Sequence, residues 1–369
     1  MLARLVRSFD RGRLDSAVIS LGTLGPVANP IQRAGVPVHA LDMTSGKIDV
    51  LAWWRLARLL RQLQPDIIQT WLYHADFAGL LGRVVTRASP LVWNIRGAEL
   101  DPRDHPRSLP FLLRLLAMAS KVPSAVICNS LAGQRAHERL GYTPRRWCII
   151  PNGFDTIAFR PDAEAGRRVR RELGLADDAR LVGLLARFHP MKDHATFLRA
   201  AKLVAARTSD VHFLAAGRGV DDNETVRRLA RELRLESNLH LMPEQGDSAA
   251  FLAALDVAVS SSYSEGFPNV VAEAMACGTP CVVTDVGESA TIVGKTGVVV
   301  PPREPEALAK GIVQLLDLDR ASLESLGRAA RERIVSEFSI ERAVARYEAL
   351  YTELVSGTMA TKAESICAG

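Results

Sequence analysis

Short continuous runs of apolar residues alternate with amphipathic stretches of helical period along nearly the whole chain, and the alternation breaks off near residue 155 and then starts again. A strand that is apolar along its whole length needs cover on both faces, which a parallel sheet flanked by helices provides. Strands are predicted at 17–21, 36–41, 66–72, 91–96, 125–129 and 148–151, with helical patterns such as 50–63 and 75–87 between them. A second set is predicted at 181–186, 211–216, 239–242, 257–261, 280–284 and 298–300. Helices are predicted around these at 195–207, 223–234, 268–277, 305–316, 322–337 and 340–354. The fold class is therefore α/β, with two Rossmann-like doubly wound domains over 1–160 and 161–338. A polar, Arg-rich connector is read at 155–178, and 339–369 is read as a terminal helix whose tail frays after Ser356. The beginning departs from the pattern. Residue 1 enters an amphipathic helix (Leu2, Leu5, Val6 and Phe9 apolar), so the first strand of the N-terminal domain and its glycine turn are missing from the sequence.

A length of 369 residues suits two domains, and 48% hydrophobic against 24% charged residues suits two globular cores. The five cysteines form no C-x-x-C pair, and Cys277 and Cys281 have no second pair or histidine to complete a zinc set. Buried thiols in a reducing, cytoplasmic setting fit best. With a charged N-terminus no signal peptide is expected, and Arg114 and Lys121 interrupt the apolar stretch at 109–127 that would otherwise be tested as a membrane span. The net charge of +5 conceals an asymmetry: residues 1–160 carry 21 Lys and Arg against 11 Asp and Glu, and residues 161–369 carry 25 against 30. A basic half suits a membrane surface or a lipid phosphate, and an Arg-rich solvated surface suits it equally well. Aromatic residues are only 6% and do not interleave with the basic ones, which argues against nucleic acid.

In open α/β sheets ligands bind beyond the C-terminal ends of strands. The strand at 257–261 delivers Ser262-Tyr263-Ser264-Glu265-Gly266-Phe267-Pro268-Asn269 into a helix that carries Glu273. Ionised carboxylates accept hydrogen bonds only, so Glu265 and Glu273 suit paired hydroxyls. Backbone N–H groups at Asn269 and Val270 suit a diphosphate at a helix N-terminus, with Pro268 at the first helical position. An arbitrary glutamate pair is more often a turn cap and a solvated helix residue. After the strand at 181–186, Arg187 and Lys192 precede a helix and make a credible anion site. His189 and His194 read as loop or cap residues. Gly217-Arg218-Gly219 lacks the third glycine of a dinucleotide fingerprint and reads as a tight strand-end turn. In the first half, Trp71 to Asp76 (with His74), Asn94-Ile95-Arg96-Gly97 and Asn129-Ser130 each follow a strand. Any of them can hold substrate, and His74 and Asp76 can equally cap a helix.

These loops together resemble the large family of retaining glycosyltransferases of GT-B architecture known as family 4. The resemblance rests on Arg187…Lys192, Gly217-Arg218-Gly219, the run SSSYSEGFPNVVAEAMACGTPCVVTDVG at 260–287, Gly297-Val-Val-Val-Pro301, and the segment 149–155 followed by Phe159-Arg160-Pro161. It implies two domains facing across a cleft, with the terminal helix returning to the first. It also implies transfer of a sugar from a nucleoside diphosphate sugar to an envelope glycan or lipid-linked acceptor, without an essential metal or cofactor. Under it, Arg187 and Lys192 bind the donor diphosphate, Glu273 holds the ribose, and Glu265 lies at the transferred sugar. Two departures stand out. The opening strand and glycine-rich loop are absent, so a non-catalytic nucleotide-sugar-binding protein is the alternative, and Arg96 stands where many members have a histidine. The first domain of such proteins often docks on membranes, which the basic half and the stretch 107–116 fit; a peripheral position at the inner membrane face is expected.

Overall fold

The structure is a computed structural model that describes residues 1–43, 49–86, 89–97, 108–208 and 210–367. The chain forms two compact units, Met1–Gly153 with Ile340–Gly369, and Phe154–Ser339.

The first unit runs α1 (Leu2–Ser8), β1 (Val18–Ser20), α2 (Ala28–Arg33), β2 (Val38–Ala40), α3 (Val50–Leu63) and β3 (Ile68–Gln69). It continues through α4 (Tyr73–Thr86), β4 (Leu91–Ile95), α5 (Leu109–Ala119), β5 (Ala125–Cys128), α6 (Leu131–Arg139) and β6 (Trp147–Ile149). Every ladder is parallel, and β4 and β5 are buried at every residue, as unbroken apolar runs require. One doubly wound sheet was expected. The structure instead has two, β1-β2 and β3-β4-β5-β6, with no ladder between β1 and β3. The same apolar layers still line both sheets. Val18, Val38, Val92 and Ile127 share one cluster, and Ile19, Leu41 and Ile68 share another with Leu56 and Leu60 of α3. The stretch 109–127 resolves into α5, which buries Leu109, Leu113 and Leu116, followed by β5. No helix among the described residues is long and apolar enough to cross a membrane.

The second unit runs α7 (Ala163–Glu172), β7 (Arg180–Leu185), α8 (His194–Ala205), β8 (Val211–Ala216), α9 (Glu224–Glu232), β9 (Leu239–Met242) and α10 (Ser248–Ala254). It continues through β10 (Val257–Ser260), α11 (Asn269–Ala276), β11 (Cys281–Thr284), α12 (Ser289–Val293), β12 (Val298–Val300), α13 (Pro305–Leu316) and α14 (Arg320–Glu337). Its parallel sheet has the order β12-β11-β10-β7-β8-β9. The chain winds outward from β7 in one direction and from β10 in the other, so the strand order reverses between these two neighbours. Loops leaving their C-terminal ends diverge and open a crevice there. The segment read as a connector holds α7, whose Arg170 pairs with Asp256 at 2.9 Å; the same carboxylate oxygen accepts from Leu181 N at 2.8 Å. Cys277 and Cys281 are buried free thiols.

The last element, α15 (Ile340–Cys367), packs against α1 in the first unit and runs past the end predicted at residue 354. It buries Tyr347 and Tyr351 there. Tyr351 donates to Gln69 Oε1 at 2.6 Å, and Asn94 Nδ2 donates to the Tyr347 hydroxyl at 2.8 Å.

Candidate active site

The loop after β7 is shaped by two consecutive caps. His189 Nδ1 accepts from Met191 N at 3.3 Å and starts a short 3-10 turn, Pro190–Lys192. Asp193, at φ 47, then caps α8 by accepting from Thr196 N at 3.1 Å and Thr196 Oγ1 at 2.7 Å. These two caps fix where Lys192 leaves the backbone. The loop after β10 is tied to the same turn, since Ser261 Oγ donates to Lys192 O at 2.9 Å and Tyr263 N donates to Met191 O at 3.0 Å.

With the two loops joined, Lys192 Nζ contacts Glu265 Oε1, and Ser262 Oγ donates to that same oxygen at 2.8 Å. The Lys192 and Glu265 side chains are 25% and 13% exposed, so this charge pair is shielded but open to a ligand. A third strand end completes the frame. Thr284 Oγ1 donates to Ser262 O at 2.5 Å, and Glu288 N donates to Gly266 O at 3.1 Å. Gly287, at φ +57, passes so close that a Cβ there would lie 2.3 Å from Glu265 O. Only glycine fits.

The resulting pocket has a cavity volume of about 210 Å³ and is lined by Lys192, Ser262, Glu265, Phe267, Pro268, Asn269 and Val270 above the ends of β7 and β10. Pro268 is the N-cap of α11, with φ −73 and ψ 93, and Asn269 is its first residue, which corrects the prediction that Pro268 takes the first helical position. The proline makes no side-chain cap; Val271 N donates to Pro268 O at 3.2 Å, and Asn269 and Val270 line the pocket at the start of the helix. Phe267 anchors the turn from below, its ring centroid 6.1 Å from Phe154 and 6.0 Å from Phe338.

The remaining predicted residues, Arg187, Gly217, Gly266 and Glu273, do not line this pocket. Gly266 lies within the loop but off the wall, and Glu273 is 8% exposed on α11 and has a partner. Arg187 is exposed just past β7. Gly217 is buried and acts on the backbone: Ala186 N donates to Ala216 O at 2.9 Å, which draws the ends of β7 and β8 together. The ring of Tyr263 lies 4.1 Å from the guanidinium carbon of Arg303. Sequence reading missed Ser262 as a partner of Glu265, and also Thr284, Gly287 and Arg303. The first three lie within the quoted run 260–287, but nothing in the sequence joins Arg303 to Tyr263.

His194 is 4% exposed, and neither ring nitrogen has a hydrogen-bond partner. Burial lowers its pKa from 6.5 to about 4. The unfolded chain therefore binds the proton more readily, so stability is complete above pH 6.5 and falls between there and pH 4. Replacing His194 with Leu should flatten the pH dependence of Tm in that window, and an unchanged slope would refute this assignment.

In the first unit, His74 is exposed in the first turn of α4, and Asp76 is 0% exposed and accepts from Thr70 Oγ1 at 2.5 Å. Burial holds the Asp76 carboxyl well above the usual range, and the residue is a core group rather than a surface cap. Ser130 caps α6, accepting from Gly133 N at 2.9 Å. Among the described residues, no group of three or more His, Cys, Asp or Glu is arranged to hold a metal ion.

Comparison with known proteins covers both halves. The family described as Glycosyltransferase Family 4 matches residues 1–157, and that described as Glycosyl transferases group 1 matches 179–318. The chain is 26% identical over 309 residues to an Escherichia coli UDP-Gal:α-D-GlcNAc-diphosphoundecaprenol α-1,3-galactosyltransferase, covering 81% of this chain and 78% of the relative. It is 27% identical over 352 residues to a D-inositol 3-phosphate glycosyltransferase of Thermobispora bispora, covering 90% and 79%. Among solved structures, Anabaena HepE with UDP superposes with a TM-score of 0.81 at 21% identity, covering 95% of each chain. Sucrose-phosphate synthase of Thermosynechococcus elongatus does so with a TM-score of 0.70 at 21% identity, covering 92% and 99%. These two show the fold, that of GT-B glycosyltransferases.

Proposed function

We propose a reaction from the premise that this chain belongs to glycosyltransferase family 4. It moves a hexosyl or N-acetylhexosaminyl unit from a nucleoside diphosphate sugar to a cell-envelope glycan or lipid-linked acceptor, with retention at the anomeric carbon. The observation that carries the proposal is the pairing of Lys192 with Glu265 in one pocket at the switch point, beside the N-terminus of α11. In the transfer the bond from the anomeric carbon to the diphosphate breaks and one to the acceptor hydroxyl forms. The departing diphosphate gains charge. Lys192, with Arg187 as a second cation and the first-turn N–H groups of α11, stabilises that charge. Fixed protein charges of this kind do the work of a metal, which supports a metal-independent reaction. Glu265 accepts hydroxyls of the transferred sugar, and Glu273 those of the ribose. The E. coli relative is named for a diphosphoundecaprenol acceptor, which supports the lipid-linked reading.

The test is calorimetric titration of the full chain with UDP-, GDP- and ADP-sugars, followed by hydrolysis and transfer assays. One nucleotide series should bind and be slowly hydrolysed. No binding by any series sinks the proposal, and binding without turnover favours the non-catalytic alternative.

Peripheral contact with the inner face of a membrane belongs to the same proposal. Trp54 on α3 is 58% exposed, and Phe111 and Met118 on α5 are 74% and 84% exposed. Exposed Arg58, Arg61 and Arg114 lie on the same two helices, which carry no acidic residue, and exposed Lys121 follows α5. Large apolar side chains among cations suit an anionic interface. Vesicles containing phosphatidylglycerol should retain the protein at low salt better than phosphatidylcholine vesicles, and equal recovery from both would count against the contact.

A further inference from the structure

Arg96, just beyond β4, is a largely desolvated cation held only by uncharged groups. Its guanidinium carbon sits 5.2 Å from the centroid of the Trp71 ring, its Nη1 donates to Asn94 Oδ1 at 3.4 Å, and it lies near the hydroxyl of Tyr347. Asn94 and Tyr347 are each 0% exposed and bonded to each other, so the three neutral partners form a rigid seat. Among the described residues no carboxylate lies within ion-pair distance. Three other part-buried arginines are compensated. Arg170 meets Asp256 at 2.9 Å, Arg333 meets Glu337 at 2.6 Å, and Arg331 is met by three backbone carbonyls. A desolvated cation without a counter-charge is costly, and a water-poor setting strengthens its attraction for any anion that reaches it.

The neighbouring strand supplies a second observation. The β4–β5 ladder pairs Ile95 with Cys128, so its continuation sets Asn129 beside Arg96 on the same face. Asn129 is 4% exposed, and its Oδ1 has no hydrogen-bond partner. A cation and an unused acceptor thus stand on neighbouring strand ends. One of the five guanidinium donors is bonded, to Asn94, and the planar fork suits the paired oxygens of a phosphoryl group.

We propose that Arg96, with Asn129, forms a second anion site in the first unit, which takes the phosphoryl group of a phosphorylated acceptor, with Asn129 Oδ1 accepting from an adjacent hydroxyl. The assignment of this anion to an acceptor rests on the transferase reading above; the site itself does not. The full chain is saturated with UDP, so that the pocket of the second unit is filled, and is then titrated with inorganic pyrophosphate, glycerol 3-phosphate or glycerol. One equivalent of pyrophosphate and of glycerol 3-phosphate should bind, while glycerol should not. Arg96→Gln should weaken both by about tenfold or more, and Arg96→Lys by less, since a lysine keeps the charge but loses the fork. Asn129→Asp keeps Arg96 in place and supplies a counter-charge, so it too should weaken binding even if Arg96→Gln fails to fold. Lys192→Ala should lose UDP and keep the second site. The proposal is overturned if UDP-saturated protein binds neither phosphoryl probe, if Arg96→Gln or Asn129→Asp folds and binds as tightly as the parent, or if Lys192→Ala removes this site. Failure of UDP itself to bind would instead overturn the transferase reading.

Discussion

Lys192→Ala is expected to lower kcat/KM for glycosyl transfer by about 10²–10³-fold, the usual loss when a group aimed at developing charge is removed. The size follows from where the ammonium sits. It is a half-buried cation on a turn between two caps, where it acts on charge at a fixed position without reorganising. Its loss also leaves Glu265 without a counter-charge in the pocket, so donor affinity falls with the rate. The fold should survive, because the turn is held by its main chain: Lys192 O still accepts from Ser261 Oγ, and Met191 O still accepts from Tyr263 N. Tm and circular dichroism should stay close to those of the parent while UDP binding weakens. Unfolding of the variant, or donor affinity equal to the parent's, would remove Lys192 from the site.

Gly217→Ala is expected to do the reverse, losing stability first and activity as a consequence. Gly217 has φ +146, and a Cβ there would stand 2.1 Å from Ala186 O and 2.5 Å from its carbonyl carbon. Neither contact is with a flexible side chain, so the ends of β7 and β8 must separate. The combined strain and displacement should cost about 3 kcal/mol or more, which lowers Tm by roughly 6–12 °C in a unit of this size. Gly246 is the control, because nothing lies within 4 Å of a Cβ there and Gly246→Ala should be nearly neutral. Equal melting temperatures for the two alanine variants would show that the close approach at Gly217 is not a constraint.

The two substitutions mark different degrees of legibility. The strands were readable because buried parallel strands cannot hide polar residues: 211–216, 239–242 and 298–300 were predicted at the bounds the structure shows. Val50–Leu63 was readable as a helix because its apolar residues recur on one face. Helices α7 and α10 were not predicted. Both are short, and α7 is so rich in charge that it reads as a linker, its helicity secured by the cap at Asp162 and by packing on α10. The division of the first unit into two sheets was not legible either, since strand patterns reveal which segments pair with something but not with what.

By itself the sequence determined the α/β class, most of the element order, and the residues that follow β7 and β10, because periodicity and turn chemistry are local properties. Only the tertiary structure decided that Lys192 and Glu265, 73 residues apart, share one pocket with Ser262, and that Gly287 and Thr284 lock their loop. Only it showed Asp76 to be buried in a core and Arg96 to have no carboxylate partner among the described residues. Contact and charge state depend on which distant segments exclude water from a group. That exclusion exists only once the strands have taken their order in the sheet.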